Sequence, residues 1–230
     1  KEHKPVWELP GYNEGWFAVQ DEASQLVVLM LDPKPGEEIL DACSAPGTKS
    51  LFIFQLMKTT GRLVSADINE NRLNLINKEA IRLGLEGVEI LCEDLSKQID
   101  FGKKDVCPFD KILLDAPCSG LGTIRKHPEI KWQRKPEDIS QLACLQNQLL
   151  QNLAVYLKPS GVLVYSTCTW TKEENEDVVR SLLEKGGFEL EDPGLFLPDS
   201  AKSLVKDKVF RTLPNRHLID GFSAFRLRKR

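Results

Sequence analysis

The sequence predicts an α/β protein: a mostly parallel seven-stranded sheet with helices on both faces. Three observations carry this. Short apolar runs alternate with amphipathic stretches over most of the 230 residues, the pattern of right-handed strand–helix–strand crossovers. The short runs are apolar nearly throughout, as strands are when helices cover both faces of a parallel sheet. No internal repeat or low-complexity tract interrupts the alternation.

The elements follow in order. GWFAVQ (15–20) reads as a short extended entry, so residues 1–20 form an amino-terminal extension ahead of a main domain over 21–230. DEASQLVVLMLD reads as a helix, with acids at its start and apolar residues through its body. EEILDA is a strand, and SAPGTKSLFIFQLMK is a loop turning into a helix. RLVSAD is the second strand. NENRLNLINKEAIRLG is a helix with Asn69 as N-cap and Gly84 as its stop. VEILCED and FDKILLDAPC are the third and fourth strands. ISQLACLQNQLLQNLAVYL is a long helix closed by Lys158, Pro159 and Gly161, and GVLVYSTC is the fifth strand. EENEDVVRSLLEKGG is a helix ending on paired glycines. FELEDP and GFSAFRLRKR complete the seven strands, the last with a weaker alternation, and the region from Pro193 to Asn215 is loop-rich.

Composition narrows the function classes. Charged residues at 28% and hydrophobics at 41% are near globular averages, which excludes a disordered chain. The formal charge of −3 means that any nucleic-acid contact must rest on local clustering. No apolar run reaches membrane-spanning length and no secretory signal is visible, so no membrane association is expected. The six cysteines form no C-x-x-C pair, and the three histidines are scattered. No metal site is expected. Dispersed cysteines in a domain of this size predict free thiols and a reducing, cytoplasmic location. A monomer is expected.

In such sheets ligands sit outside the carboxyl ends of the strands. Those ends are Asp41 to Lys49, Asp67, Asp94, Asp115 to Cys118, and Ser166 to Cys168, and four of the five carry an aspartate. DACSAPGTKS is neither a Walker loop nor a dinucleotide fingerprint, because Thr48 separates Gly47 from Lys49 and only one glycine is present. A turn with Pro46 and Gly47 still lets backbone approach a small ligand. Asp67 follows that loop by some twenty residues, the spacing of a carboxylate on ribose hydroxyls; its alternative is to cap the next helix. Asp94 can accept a hydrogen bond from an exocyclic amine. These suit a nucleoside without pyrophosphate, and S-adenosyl-L-methionine, whose sulfonium is cationic, is such a ligand. After Cys118, Arg125, Lys126, His127, Lys131 and Arg134 crowd around Trp132. The cations with an interleaved aromatic favour an RNA contact over a merely solvated loop. The terminal RLRKR either extends this surface or is a soluble tail.

The motifs VQDEASQL, DACSAPGTKS, ADINENRL, LLDAPCSGLGTIRKHPEIKW, YSTCTWTKEENE and DGFSAFRL, in that order, resemble those of the RNA cytosine-5 methyltransferases, in particular the bacterial ribosomal branch called Sun or Fmu. The resemblance implies a class I methyltransferase, Rossmann-like fold binding S-adenosyl-L-methionine. It implies a cofactor loop of Cys43, Ser44, Ala45, Pro46, Gly47, Thr48 and Lys49. Asp67 then holds the ribose, with Arg72 nearby, Asp94 lies by the adenine, and Asp115 lies at the junction of cofactor and base. Cys168 matches the nucleophile, and Cys118 the cysteine linked to product release. The family usually has a second glycine where this chain has Thr48. Members of this branch often carry an amino-terminal RNA-binding domain resembling NusB; a chain that starts at Lys1 is expected to be an excerpt lacking it. Lys49 is either a cation that stabilises a thiolate or an exposed helix lysine. Two other functions remain open: a catalytically silent RNA-binding scaffold on the same fold, and a DNA cytosine-5 methyltransferase, in which the Pro-Cys cysteine attacks.

Overall fold

The computed structural model describes residues 4–99 and 109–230; Cys107 lies outside them. The parallel part of the sheet contains β1 (Glu38–Ala42), β2 (Arg62–Asp67), β3 (Glu89–Cys92), β4 (Phe109–Asp115) and β5 (Leu157–Thr167). Then come β6 (Phe188–Glu191), β7 (Val205–Lys206), β8 (Val209–Arg211) and β9 (Ser223–Lys229). The spatial order is β3-β2-β1-β4-β5-β9-β8-β7, and β6 also pairs with β9. The first five strands pair in parallel, while β9 runs antiparallel to β5.

All seven expected strands are present. The sheet has nine because the region expected to be loop-rich contributes the small β7–β8 hairpin. The expected extended entry at 15–20 forms no strand. The fifth strand starts earlier than Gly161. Leu157 already pairs with Phe109, and a bulge follows before Val162 pairs with Lys111, with Ser160 at a left-handed φ of 60°.

Five longer helices flank or border the sheet, α1 (Glu22–Leu31), α2 (Thr48–Leu56), α3 (Glu70–Leu83), α5 (Pro136–Ala154) and α6 (Glu176–Glu184), with a one-turn α4 (Ile130–Gln133) before α5. A one-turn α7 (Pro214–His217) precedes β9. Asp21 caps α1 by accepting from Ala23 N. Asn69 caps α3, and Gly84 stops it at φ 67°. Neighbouring strand residues fall into opposite apolar layers because side chains alternate across a sheet. Leu40, Ile112, Leu114, Leu163 and Tyr165 share one layer with α5 and α6. Ile39, Leu63, Leu113, Val162 and Val164 share the other with α1 and α2.

The carboxyl-terminal RLRKR is the end of β9, not a tail. Arg226 and Arg228 pair with Glu191 at 2.8 and 2.5 Å, and Lys229 Nζ donates to the carbonyls of Ala154 and Leu157. Arg230, just past β9, pairs with Glu189 at 3.4 Å on the surface.

Candidate active site

β1 through β4 end at one crevice, a cavity of about 330 Å³ whose walls include Cys43, Ala45, Asp67, Ile68, Asp94 and Asp115. Asp67 does not cap α3. Its Oδ1 accepts from Asn69 N at 2.9 Å and its Oδ2 from Ala45 N at 3.2 Å, so it holds the cofactor-loop backbone while facing the cavity. Arg72 closes the same loop by donating to the Ala45 carbonyl at 2.6 Å. Asp94 is pulled down to about 2 by hydrogen bonds from Ser96 and the adjacent Lys97. At neutral pH it is therefore an anion on the cavity wall.

The loop 43–47 is shaped by backbone. Cys43 sits at φ 58°, the Ala45–Pro46 bond is cis, and Gly47 has φ 102°. A Cβ on Gly47 would lie 2.6 Å from Ile76 Cγ1, so the turn needs glycine on two counts. Below the loop, Ser50 donates to the wholly buried Asp41 at 2.5 Å, tying β1 to α2. Of the seven expected loop residues, Cys43 and Ala45 line the cavity. Ser44 is buried with its N–H on the Ala66 carbonyl, and Pro46 faces solvent. Thr48, where the family usually has glycine, lines a separate cavity beside Trp16 and Phe17.

Lys49 is not an exposed helix lysine. Its side chain is 13% exposed and its Nζ is 2.6 Å from Asp115 Oδ2. Burial works against its charge, but Asp115, with Asp41 and Cys168, outweighs burial and holds its pKa above the ordinary lysine value. Ser166 donates to the other Asp115 oxygen at 2.7 Å. Asp115 is thus fixed between a cation and a hydroxyl at the edge of the cavity.

Adjacent parallel strands bring the two thiols together. Asp115 of β4 pairs with Ser166 of β5, and three residues past Asp115 the Cys118 sulfur lies 3.2 Å from that of Cys168. Cys168 N also donates to Cys118 Sγ at 3.3 Å, and the two thiols share a hydrogen bond in which either sulfur can donate. The hydrogen bond to Cys168, and then burial, push the Cys118 thiol well above the ordinary cysteine value. Cys118 keeps its proton next to Cys168.

Sequence reasoning missed Ile68 and Phe222. Ile68 is 69% exposed on the cavity wall, and the clue was available: it lies between β2 and the α3 cap, outside the apolar pattern of either. Phe222 packs its ring 5.4 Å from Lys49 Nζ, and no spacing signals that contact.

The basic loop splits in two. Arg125 and Lys131 are exposed and make no ion pair among the described residues, and Trp132 is 88% exposed. Lys126 is engaged with Asp21 and Asp220 at 2.8 and 2.6 Å, and Arg134 Nε donates to the Ser119 carbonyl at 3.0 Å. His127 pairs loosely with Glu129 at 3.3 Å. Among the described residues, no helix is long and apolar enough to cross a membrane, and no group of three or more His, Cys, Asp or Glu could hold a metal ion.

This geometry has close relatives. The family model described as 16S rRNA methyltransferase RsmB/F matches residues 28–228. The chain belongs to this family. A probable ribosomal RNA small subunit methyltransferase B of Bacillus subtilis is 39% identical over 224 residues, 95% of this chain and 49% of the relative. The ribosomal RNA small subunit methyltransferase B of Vibrio vulnificus is 42% identical over 195 residues, 82% of this chain and 45% of the relative. The chain thus spans about half the length of these curated relatives. The crystal structure of NSun6 from Pyrococcus horikoshii with SFG superposes with a TM-score of 0.86 at 35% identity, over 99% of this chain and 56% of that one. A methyltransferase homologue from the same organism gives 0.80 at 34% identity, over 100% and 73%. The fold is therefore the class I methyltransferase fold.

Proposed function

We propose that this RsmB/F-family chain transfers a methyl group from S-adenosyl-L-methionine to C5 of a cytosine in ribosomal RNA, through a covalent bond between Cys168 and C6. One observation carries the reading: two thiols 3.2 Å apart just beyond Asp115, which pairs with Lys49 and lines a carboxylate-walled cavity. The cavity fits the cofactor in kind. Its walls offer the acceptors Asp67 and Asp94, and no glycine-rich phosphate cradle, as a nucleoside bearing a cationic sulfonium requires. Asp67 would take the ribose, Asp94 the adenine side, and Ile68 an apolar ring face. When bound, the cofactor supplies the electrophilic methyl that C5 takes up. The relatives' names, both ribosomal RNA small subunit methyltransferases, favour ribosomal RNA as the substrate.

Cytosine C5 is a weak nucleophile until a thiolate adds to C6 and pushes electrons onto C5, one hard step split into two easier ones. The thiolate, not the thiol, is the attacking species. A Cys168 thiolate would face the Lys49 charge and the Cys118 thiol. Asp115, fixed by Lys49 and Ser166, is placed to hydrogen-bond the activated ring. Transfer of the C5 proton to a base, such as a water molecule, then re-forms the C5–C6 double bond and expels the Cys168 sulfur as a thiolate. Cys118, 3.2 Å away and still protonated, would hydrogen-bond the departing sulfur. The base must leave its stack to be reached this way, and Trp132, Arg125 and Lys131 offer a stacking face and two free cations for the surrounding strand.

RNA carrying 5-fluorocytosine tests the assignment, because fluorine blocks elimination. The wild type should be trapped as a covalent protein–RNA species on a denaturing gel. Cys168→Ser should form none, since serine is too weak a nucleophile to replace a thiolate. Cys118→Ala should accumulate adduct even with ordinary cytosine. Adduct from Cys168→Ser and none from Cys118→Ala is the DNA-type order of cysteines and would overturn the assignment.

A further inference from the structure

The two thiol loops start from different strands, yet their sulfurs meet at 3.2 Å. The strand register alone does not fix this, because both cysteines lie beyond the last paired residues of β4 and β5. The fixing comes from behind. Glu174 is fully buried and forms no ion pair among the described residues. Its Oε1 accepts from Ser119 N at 2.8 Å and Gln146 Nε2 at 3.1 Å. Its Oε2 accepts from Ser119 Oγ at 2.6 Å and Thr171 Oγ1 at 2.7 Å.

These partners bracket the thiols. Ser119 follows Cys118, and Gln146 also donates to the carbonyl of Pro117, which precedes it, at 2.8 Å. Ser119 Oγ lies 3.0 Å from Thr169 Oγ1, the residue after Cys168. Before Cys168, Thr167 donates to Asn175 at 2.7 Å, and Asn175 is the neighbour of Glu174. Tyr165 of β5 donates to the Glu174 carbonyl at 2.6 Å. All four residues that flank the two cysteines are therefore held by a patch two residues long, Glu174–Asn175, with Gln146 of α5.

A buried carboxylate without a cation is costly unless strong hydrogen bonds satisfy it. Glu174 has four donors on its two oxygens, which is what an ionised carboxylate can accept and an amide cannot. An apolar side chain could fill the space; it could not join the loops. We propose that Glu174 is a positioning residue that sets the spacing and facing of the Cys118 and Cys168 sulfurs, and that methyl transfer depends on it through them. The link to methyl transfer rests on the function proposed above; the spacing does not.

The test uses Glu174→Gln, which keeps size and turns one acceptor end into a donor facing donors. Intramolecular disulfide formation reads the spacing without RNA or cofactor. Diamide takes two electrons and two protons from the thiol pair, giving the Cys118–Cys168 disulfide and the reduced hydrazine. Mass spectrometry follows the loss of two hydrogens. The wild type should close readily and the variant about tenfold more slowly or worse, given how steeply proximity effects fall with misplacement. In the methylation assay, kcat should drop by about a hundredfold, the cost of roughly 1 Å of misplacement, with the KM for cofactor unchanged. A thermal melt shows whether the variant folds. If it does not, Ser119→Ala replaces it, deleting the hydroxyl that joins Glu174 to the Thr169 side while keeping the backbone contact. A wild-type rate of disulfide closure in the folded variant overturns the proposal. So does unchanged kcat in a chain whose wild type methylates RNA. If the wild type transfers no methyl to RNA, the proposed function fails, and the disulfide comparison alone judges Glu174.

Discussion

Asp41 gives the sharpest physical prediction. It lies near the end of β1 beneath the cofactor loop, wholly buried, with Ser50 on one oxygen and, among the described residues, no partner on the other. Burial pushes its pKa up to about 7; Ser50 and Lys49 pull against burial, while Asp115 and Asp67 add to it. In the unfolded chain an aspartate ionises near pH 3.9. The folded state therefore binds the proton more tightly than the unfolded state. The sign follows: the contribution of this site to stability is fully present below about pH 4 and falls as pH rises to about 7, then stays constant. A pKa difference of about three, at about 1.4 kcal/mol for each pH unit, is worth of order 4 kcal/mol. Asp41→Asn cannot ionise and lacks this dependence, whatever constant offset its amide introduces. Urea denaturation of both proteins at pH 4.5, 6 and 8 measures it. The stability of the wild type relative to Asp41→Asn should decline across that series, most of it below pH 7. Acid effects from other carboxylates cancel in the difference. Parallel profiles for the two proteins would refute the reasoning and show an Asp41 that ionises normally beneath the loop.

Four further outcomes are expected. Asp67→Ala should weaken cofactor binding about ten- to a hundredfold in a calorimetric titration, the loss of a charge-assisted hydrogen bond of roughly 1.5–3 kcal/mol; unchanged affinity would remove Asp67 from the site. Arg125→Ala with Lys131→Ala should reduce the slope of log affinity for RNA against log salt by about 1.4, since each single-strand phosphate contact contributes about 0.7. Lys126→Ala should leave that slope nearly unchanged, because Asp21 and Asp220 already hold the Lys126 ammonium. Gly122→Ala should lower the melting temperature and abolish methyl transfer, because its Cβ would lie 2.0 Å from the Gly221 carbonyl oxygen and 2.8 Å from that of Cys168; a variant with wild-type melting and activity would show that this close approach is dispensable.

How far the sequence could be read follows from which interactions are local. The parallel half was legible because each of its elements announces itself over a few residues. Asn69 and Gly84 bound α3 by their own chemistry, and short apolar runs mark strands covered on both faces. The antiparallel edge was harder. β9 carries Arg226 at 2% exposure, which breaks the apolar pattern, because Glu191 and the Met30 and Leu31 carbonyls satisfy its charge. The β7–β8 hairpin has too few residues to show a period at all.

At the site the same division holds. The chemistry of a residue type is visible in sequence, so both thiols and the strand-end carboxylates could be named. Whether a charge is free is decided by residues far along the chain. Lys126 meets Asp21 and Asp220, which lie 105 and 94 positions away, and Arg134 reaches back to the Ser119 carbonyl. Both cations look identical to Arg125 and Lys131 in sequence, yet Lys126 is ion-paired and Arg134 hydrogen-bonds the Ser119 carbonyl next to Cys118. Glu174 is the extreme case. In EENEDVV it is one acid among four, with every sign of a solvated helix start. The fold turns it inward, where its value lies in donors 28 and 55 residues away. A site of this kind is built in two layers: reactive groups at strand ends, which sequence shows, and a buried polar scaffold that fixes their spacing, which only the folded chain assembles.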